Sequence, residues 1–188
     1  MNVTFARVRA SEASHLSDFA RDNFDKTYGP VCRAADVDAY MASELTASQL
    51  LRVLTNPTSW VFAAIVDDEW VGYAQVRLAP LPEKTQSEHS PALSTTPMEL
   101  NRFYVSRKFQ GTGVAQQMLG IVLAHAELQG SATLWLAVWQ ENARAIAFYT
   151  KWGFATVGES KFLMGEDLQD DYIMERAVQK SSLTLHSN

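Results

Sequence analysis

The residues whose types and spacing most clearly suggest chemistry are Gln110, Gly111, Thr112 and Gly113, a glycine-containing turn between a β-prone and a helix-prone run. Residues 98–105 are rich in β-branched and aromatic side chains. From Val114, apolar residues recur at helical spacing through Met118, Ile121, Val122 and Ala126. Two glycines without Cβ atoms let backbone N–H groups converge at the start of that helix, where unpaired donors and the positive end of the helix dipole favour an anion. A phosphate cradle over residues 110–115 is therefore expected. Arg107 and Lys108, just before the turn, either add charge to the phosphate or are solvated surface cations.

Several other chemistries are excluded. Cys32 is the single cysteine, so the chain has no internal disulfide, cysteine-pair zinc motif or redox pair, and a reducing, cytoplasmic setting without a metal is expected. No basic-then-apolar leader opens the chain, and no apolar run approaches the roughly 18 residues of a membrane span. The net charge is −5 and the basic residues form no stripe, which argues against nucleic acid and mildly favours cationic small molecules. A P-loop is excluded because no Gly-Lys-Ser/Thr follows the turn. A dinucleotide-binding oxidoreductase would use Glu141 after the next strand, but Gln116 stands at its third glycine position.

The elements that must position the turn follow from periodicity. A first strand is expected within residues 3–9, then a helix capped by Ser11 over residues 12–24, closed by Tyr28, Gly29 and Pro30. Residues 36–54 read as one or two helices broken near Thr46. Residues 60–66 and 70–78 read as a hairpin turning at Asp67, Asp68 and Glu69. Four prolines in residues 79–97 make a long loop, either a binding segment or a disordered insertion. The helix over residues 112–128 leads into a buried strand at 132–139, giving a parallel crossover with the glycine turn at the carboxyl end of its first strand, where ligands tend to sit. Asn142 caps a helix to about Trp152, and strands follow at 155–163 and 171–178. The reading is one α/β (α+β) domain over residues 1–178 and a polar tail over 179–188.

With these pieces in order the chain resembles the GNAT superfamily of acyl-CoA-dependent N-acetyltransferases. Gln110-Gly111-Thr112-Gly113-Val114-Ala115 matches its Q/R-x-x-G-x-G/A pattern, directly after a strand reading L-N-R-F-Y-V. Asn142 to Phe154, N-A-R-A-I-A-F-Y-T-K-W-G-F, is similar to its N-x-x-A-x-x-F-Y-x-x-x-G-F segment. The C-terminal half is similar to bacterial spermine/spermidine acetyltransferases. The resemblance implies a mixed, mostly antiparallel sheet with one splayed parallel strand pair, flanked by helices, and acetyl-CoA as co-substrate.

It also implies roles for residues. Backbone amides of residues 111–115, with Gln110, would hold the coenzyme A pyrophosphate. The pantetheine arm would lie along Phe103, Tyr104 and Val105, with an amide there aimed at the thioester oxygen. Tyr149 would protonate the leaving thiolate, or is simply a core aromatic. Asn142 would contact the pantetheine arm as well as cap its helix. An amine acceptor must lose a proton before attack, and Glu99 is the candidate base, the other reading being an exposed strand-end carboxylate. The expected partners are acetyl-CoA and an amine, a polyamine or another small amine, received by a monomer or homodimer; Asp22, Asp25 and Glu44 either meet a cationic acceptor or are solvated. A peptide or protein amine acetyltransferase and a non-catalytic acyl-CoA-binding regulator are the alternatives. Cys32 lies far from the motif without a nearby histidine, so transfer is expected to be direct.

Overall fold

The computed structural model describes residues 1–83, 85 and 96–179. Its strands, β1 (Thr4–Arg7), β2 (Ser59–Val66), β3 (Glu69–Leu78), β4 (Met98–Val105), β5 (Thr133–Trp139), β6 (Ala155–Met164) and β7 (Asp167–Ala177), form one seven-stranded sheet in the order β1-β2-β3-β4-β5-β7-β6. All neighbours are antiparallel except β4 and β5, which run parallel. The α-helices are α1 (Ala13–Tyr28), α2 (Ala34–Glu44), α3 (Ala47–Thr55), α4 (Val114–Leu128) and α5 (Ala143–Lys151).

Local sequence accounts for most boundaries. Asp67 and Asp68 hold φ of 49° and 63°, the left-handed pair that a two-residue hairpin turn needs, so Glu69 belongs to β3 rather than to the turn. Thr46 breaks α2 from α3 and caps the latter, its hydroxyl accepting from the Gln49 amide at 3.2 Å. Ser11 does not cap α1. It lies inside a single 3-10 turn, Ala10–Glu12, closed when the Arg9 amide donates to the Glu12 carboxylate at 2.8 Å. β7 starts four residues before its expected position, because Asp167, Gln169 and Asp170 disguise its first residues as loop. Most of the 79–97 loop and the tail beyond residue 179 lie outside the described residues, but the loop's two ends meet where the Ala79 amide donates to the Pro97 carbonyl at 3.0 Å.

Helices cover both faces of the sheet. On one face Val114, Met118, Leu119 and Val122 of α4 and Tyr149 of α5 pack on Leu100, Leu134, Leu136 and Val138. On the other, Leu16, Ala20 and Phe24 of α1, Val37 of α2 and Leu50 of α3 pack on Val61 and Tyr73. The feature that matters for function is the parting of β4 from β5. They pair only at Met98 with Leu134 and Glu99 with Trp135. Beyond Glu99 the register of β4 against β3 jumps from Leu100–Val76 to Arg102–Gln75, leaving Asn101 as an extra bulged residue. A bulge bends its strand, and here it accompanies the opening of a gap between β4 and β5.

Candidate active site

One side of the gap is built by the turn before α4. Gly111 and Gly113 have φ of 81° and 95°, a left-handed backbone that other residues adopt only with strain. A Cβ at Gly111 would meet nothing within 4 Å, so the need for glycine here is conformational rather than a matter of room. The amides of Gly111, Gly113, Val114 and Ala115 have no hydrogen-bond acceptor among the described residues, and all lie at the start of α4. That is a donor cluster suited to a pyrophosphate, which supports the expected cradle.

The motif's side chains turn elsewhere. Gln110 donates from Nε2 to the Val105 carbonyl at 2.9 Å and accepts from Arg144 of α5, bracing the turn between the end of β4 and α5. The Thr112 hydroxyl donates to the Phe109 carbonyl at 2.6 Å, and Val114 is fully buried, rooting α4 in the core. Arg107 donates to the Lys26 carbonyl at 3.1 Å and so ties the turn to the end of α1, while the Lys108 ammonium lies 5.5 Å from the centre of the Phe109 ring.

The floor of the gap is β4. From Leu100 to Val105 its edge has no pairing with β5, which leaves main-chain groups open to a ligand. Phe103 faces α5, stacked on Phe148 at 5.9 Å. Tyr104 points to the opposite face and stacks on Tyr73 at 5.5 Å. Tyr149 stands beside Phe103 at 6.3 Å and against Phe154 at 5.5 Å. Burial pushes its phenol well above the ordinary value, so the proton is retained at neutral pH. Asn142 caps α5, its Oδ1 accepting from the Ala145 amide at 3.1 Å.

Glu99 is the last β4 residue paired with β5, at the vertex of the gap. It is only 5% exposed, which overturns the reading of it as an exposed strand-end carboxylate. Its two oxygens accept from Arg77 Nε and, at 2.9 Å, from Asn101 Nδ2. Asn101 and Arg77 border a cavity of about 670 Å³ on the face covered by α1, α2 and α3, whose walls include Tyr40, Glu44, Arg102 and Phe162.

Of the three acids considered for an acceptor, only Glu44 lines this cavity. Asp22 pairs with Lys26 at 2.7 Å on the surface, and Asp25 borders a separate cavity under the end of α1. Periodicity failed to single out three other residues. Asp171, opposite Trp139 in the β5–β7 register, is 7% exposed, and its Oδ1 has no partner among the described residues. Burial, helped by the neighbouring Asp170 charge, pushes its carboxyl up to about 6. Tyr28 lies 6.2 Å from the Trp139 ring, and burial pushes its phenol up to about 12. Arg102 is the third. For Asp171 and Arg102 the signal, a polar group at an inward register position, appears only once the strands are aligned.

The model of the Acetyltransferase (GNAT) family matches residues 20–154, a span holding the glycine turn, the strand before it and the Asn142 to Phe154 segment. The chain belongs to the GNAT acetyltransferase family. As a member it is an acetyl-CoA-dependent N-acyltransferase. This GNAT chain is 23% identical over 176 residues to an uncharacterized N-acetyltransferase of Lactobacillus delbrueckii subsp. lactis, covering 94% of this chain and 98% of that relative. The likeness to a spermine/spermidine N(1)-acetyltransferase of Bacillus subtilis is narrower, 34% identity over 64 residues, or 34% of this chain and 42% of the relative. Among solved structures, the PaiA N-acetyltransferase of Thermoplasma acidophilum in complex with coenzyme A superposes with a TM-score of 0.73 at 18% identity, over 94% of this chain and 99% of that one. Among the described residues no group of acids, histidines and cysteine is arranged to hold a metal ion, and no helix is long and apolar enough to cross a membrane.

Proposed function

We propose that this acetyltransferase moves the acetyl group of acetyl-CoA directly to a small primary amine, in a complex holding both substrates. The observation that carries the reading is a pair of buried side chains at the β4–β5 gap, a phenol and a carboxyl group. Tyr149 stands on the α5 side and Glu99 at the vertex, toward the cavity on the other face.

The pyrophosphate is held by the amides of residues 111–115. The pantetheine arm lies along the open edge of β4 at Phe103, Tyr104 and Val105 and reaches Asn142 at the start of α5. A free alkylamine, with a pKa near ~10.4, arrives protonated, and Glu99 takes that proton directly or through a water. The nitrogen lone pair then attacks the thioester carbonyl carbon. A β4 amide in the gap steadies the oxyanion, a type of contact worth ~2.7 to 4 kcal/mol where it has been removed by mutation. The carbon–sulfur bond breaks as Tyr149 gives its proton to the departing thiolate, the attacking nitrogen loses its second proton through water and so restores the Tyr149 hydroxyl, and the amide product leaves.

No covalent enzyme intermediate is needed. Cys32 is occupied by Gln169, whose Nε2 lies 3.5 Å from its sulfur, so Cys32→Ala leaves turnover unchanged within about twofold. The test of the whole reading is thiol release from acetyl-CoA in the presence of an amine panel spanning polyamines, amino acids and peptide N-termini. Amine-dependent release supports it. Binding of coenzyme A without release by any amine would make the chain an acyl-CoA sensor instead.

A further inference from the structure

We infer that the amine acceptor also carries a carboxylate, and that Arg102 receives it in the cavity beside the β4 bulge. The inference rests on the acetyl-transfer reading above and narrows its substrate class.

Of three arginines on this face, Arg33 and Arg77 have hydrogen-bonded carboxylate partners and Arg102 does not. Arg33 donates to Asp36 at 2.7 and 2.8 Å and to Glu166 at 2.8 Å. Arg77 is held by Glu99. Arg102, whose side chain is only 10% exposed, donates to two neutral groups, Gln75 Oε1 at 2.7 Å and the Tyr40 hydroxyl at 3.4 Å. Its nearest carboxylate, Glu44, stops at 3.9 Å, beyond hydrogen-bond length, and is partly exposed. A guanidinium carries five N–H donors in a planar fork that matches a carboxylate two-pronged. Hydrogen-bonded to neutral groups alone and with Glu44 no nearer than 3.9 Å, it lacks a close anion to offset its desolvation.

The cavity around it points the same way. With Arg77 neutralised by Glu99, Glu44 is the only carboxylate among the described lining residues and it faces Arg102, so the cavity has no surplus of negative charge to hold a polyamine with several positive charges. Tyr40, Phe162, Leu163 and Val53 supply an apolar wall for a hydrocarbon or aromatic substituent. Arg102 follows directly on the bulged Asn101, three residues past the vertex at Glu99. A carboxylate on Arg102 therefore leaves an amine one or two bonds away free to enter the gap. The guest that fits is an amino acid or a close relative, with amine, carboxylate and apolar side chain in one molecule.

Paired substrates test this without any mutation. Phenylalanine, methionine and lysine are each compared with their own carboxamides, and spermidine is added, with thiol release from acetyl-CoA as the readout. A charged hydrogen bond is worth about 1.5 to 3 kcal/mol, so kcat/KM is expected to favour the carboxylates by about 10- to 100-fold. Arg102→Gln brings the ratio near one, and Arg102→Lys, which keeps the charge but loses the fork, gives an intermediate value. Glu44→Gln removes the competing acid and lowers KM for the carboxylates. Equal or better use of carboxamides or of spermidine by the wild type overturns the inference and leaves acetyl transfer standing, as does an unchanged ratio in either folded Arg102 variant. Failure of every amine, with coenzyme A bound, overturns both.

Discussion

The two faces of the β4–β5 gap are built in opposite ways. The coenzyme side draws on one stretch of chain, from Met98 to Phe154, and offers mainly backbone: left-handed glycines, unpaired amides at the start of α4, and the open edge of β4. The acceptor side is assembled from α2, α3, β3, β4 and β6, and it offers side chains, several of them charged. Its links span the sequence, as with Arg33 and Glu166, 133 residues apart. A ligand held by main chain constrains few side-chain identities beyond glycine. A ligand held by paired charges is selected by those charges. On the proposed reading, the first face fixes the acyl donor and the second decides which amine is taken.

The largest effect is expected where the two faces meet. Tyr149→Phe keeps the ring among Phe103, Phe148 and Phe154 and removes only the hydroxyl. Loss of a general acid costs about 10²- to 10⁴-fold, so kcat should fall by at least about 100-fold. The affinity for acetyl-CoA, read by calorimetry, should stay put. An unchanged kcat would reduce Tyr149 to a packing residue and shift the chemistry to the acceptor face.

The same contrast explains what could be read in the sequence. Strand, glycine turn, helix and Asn cap are local signals, each set by backbone preferences within a few residues, and the Gln110 to Ala115 and Asn142 to Phe154 segments announce these elements of the proposed coenzyme side almost completely. What they do not announce is that Gln110 braces the turn through Val105 and Arg144, since that depends on α5 folding back beside β4. The acceptor side was nearly silent. Arg102 is one residue of a β-prone run, and Asp171 opens an expected strand with nothing in its neighbours to say that it faces inward. Glu99 was found, but not its burial or its Arg77 partner 22 residues away. Neither register nor a bulge at Asn101 follows from pattern alone, and both decide which side chains meet.

A backbone-built site should respond to backbone strain. Gly113→Val places a β-branched residue at φ 95° beside the free amides, and a left-handed conformation costs such a residue roughly 1 to 2 kcal/mol or more. Coenzyme A affinity should weaken by about 10- to 100-fold. Gly113→Ala, with a smaller group and the same φ, should fall between. If both bind coenzyme A like the wild type, the amide cradle is not what holds the pyrophosphate, and the comparison between the faces loses its first half.

The smallest effects on turnover, and the clearest on pH, come from two aspartates on the acceptor face with opposite signs. Asp171 has its carboxyl raised by burial to about 6 from an ordinary 3.8, so folding disfavours its charged form. The resulting cost is absent below about pH 4, grows through the interval and is complete above about pH 6. Asp171→Asn should therefore stabilise the protein at pH 7.5, by no more than about 3 kcal/mol, with the gain vanishing by pH 4. Asp36 runs the other way. It joins the start of α2 to the β6–β7 turn, accepting from Arg33 and, at 2.8 Å, from the Glu166 amide, and these donors hold its carboxyl down near 2. Its stabilisation is full above about pH 4 and is lost as pH falls toward 2. Asp36→Asn should thus lower the melting temperature at pH 7.5 and approach the wild type in acid. The nearby Gly165 admits no Cβ, which would fall 2.7 Å from the Asp36 Cα, so the turn has no easy way to relax around the change. Melting temperatures of the two variants from pH 8 to 3 should converge on the wild-type profile from opposite sides. Parallel curves would mean that the charges of the acceptor face are solvated in practice, and that its selectivity comes from shape rather than from paired charge.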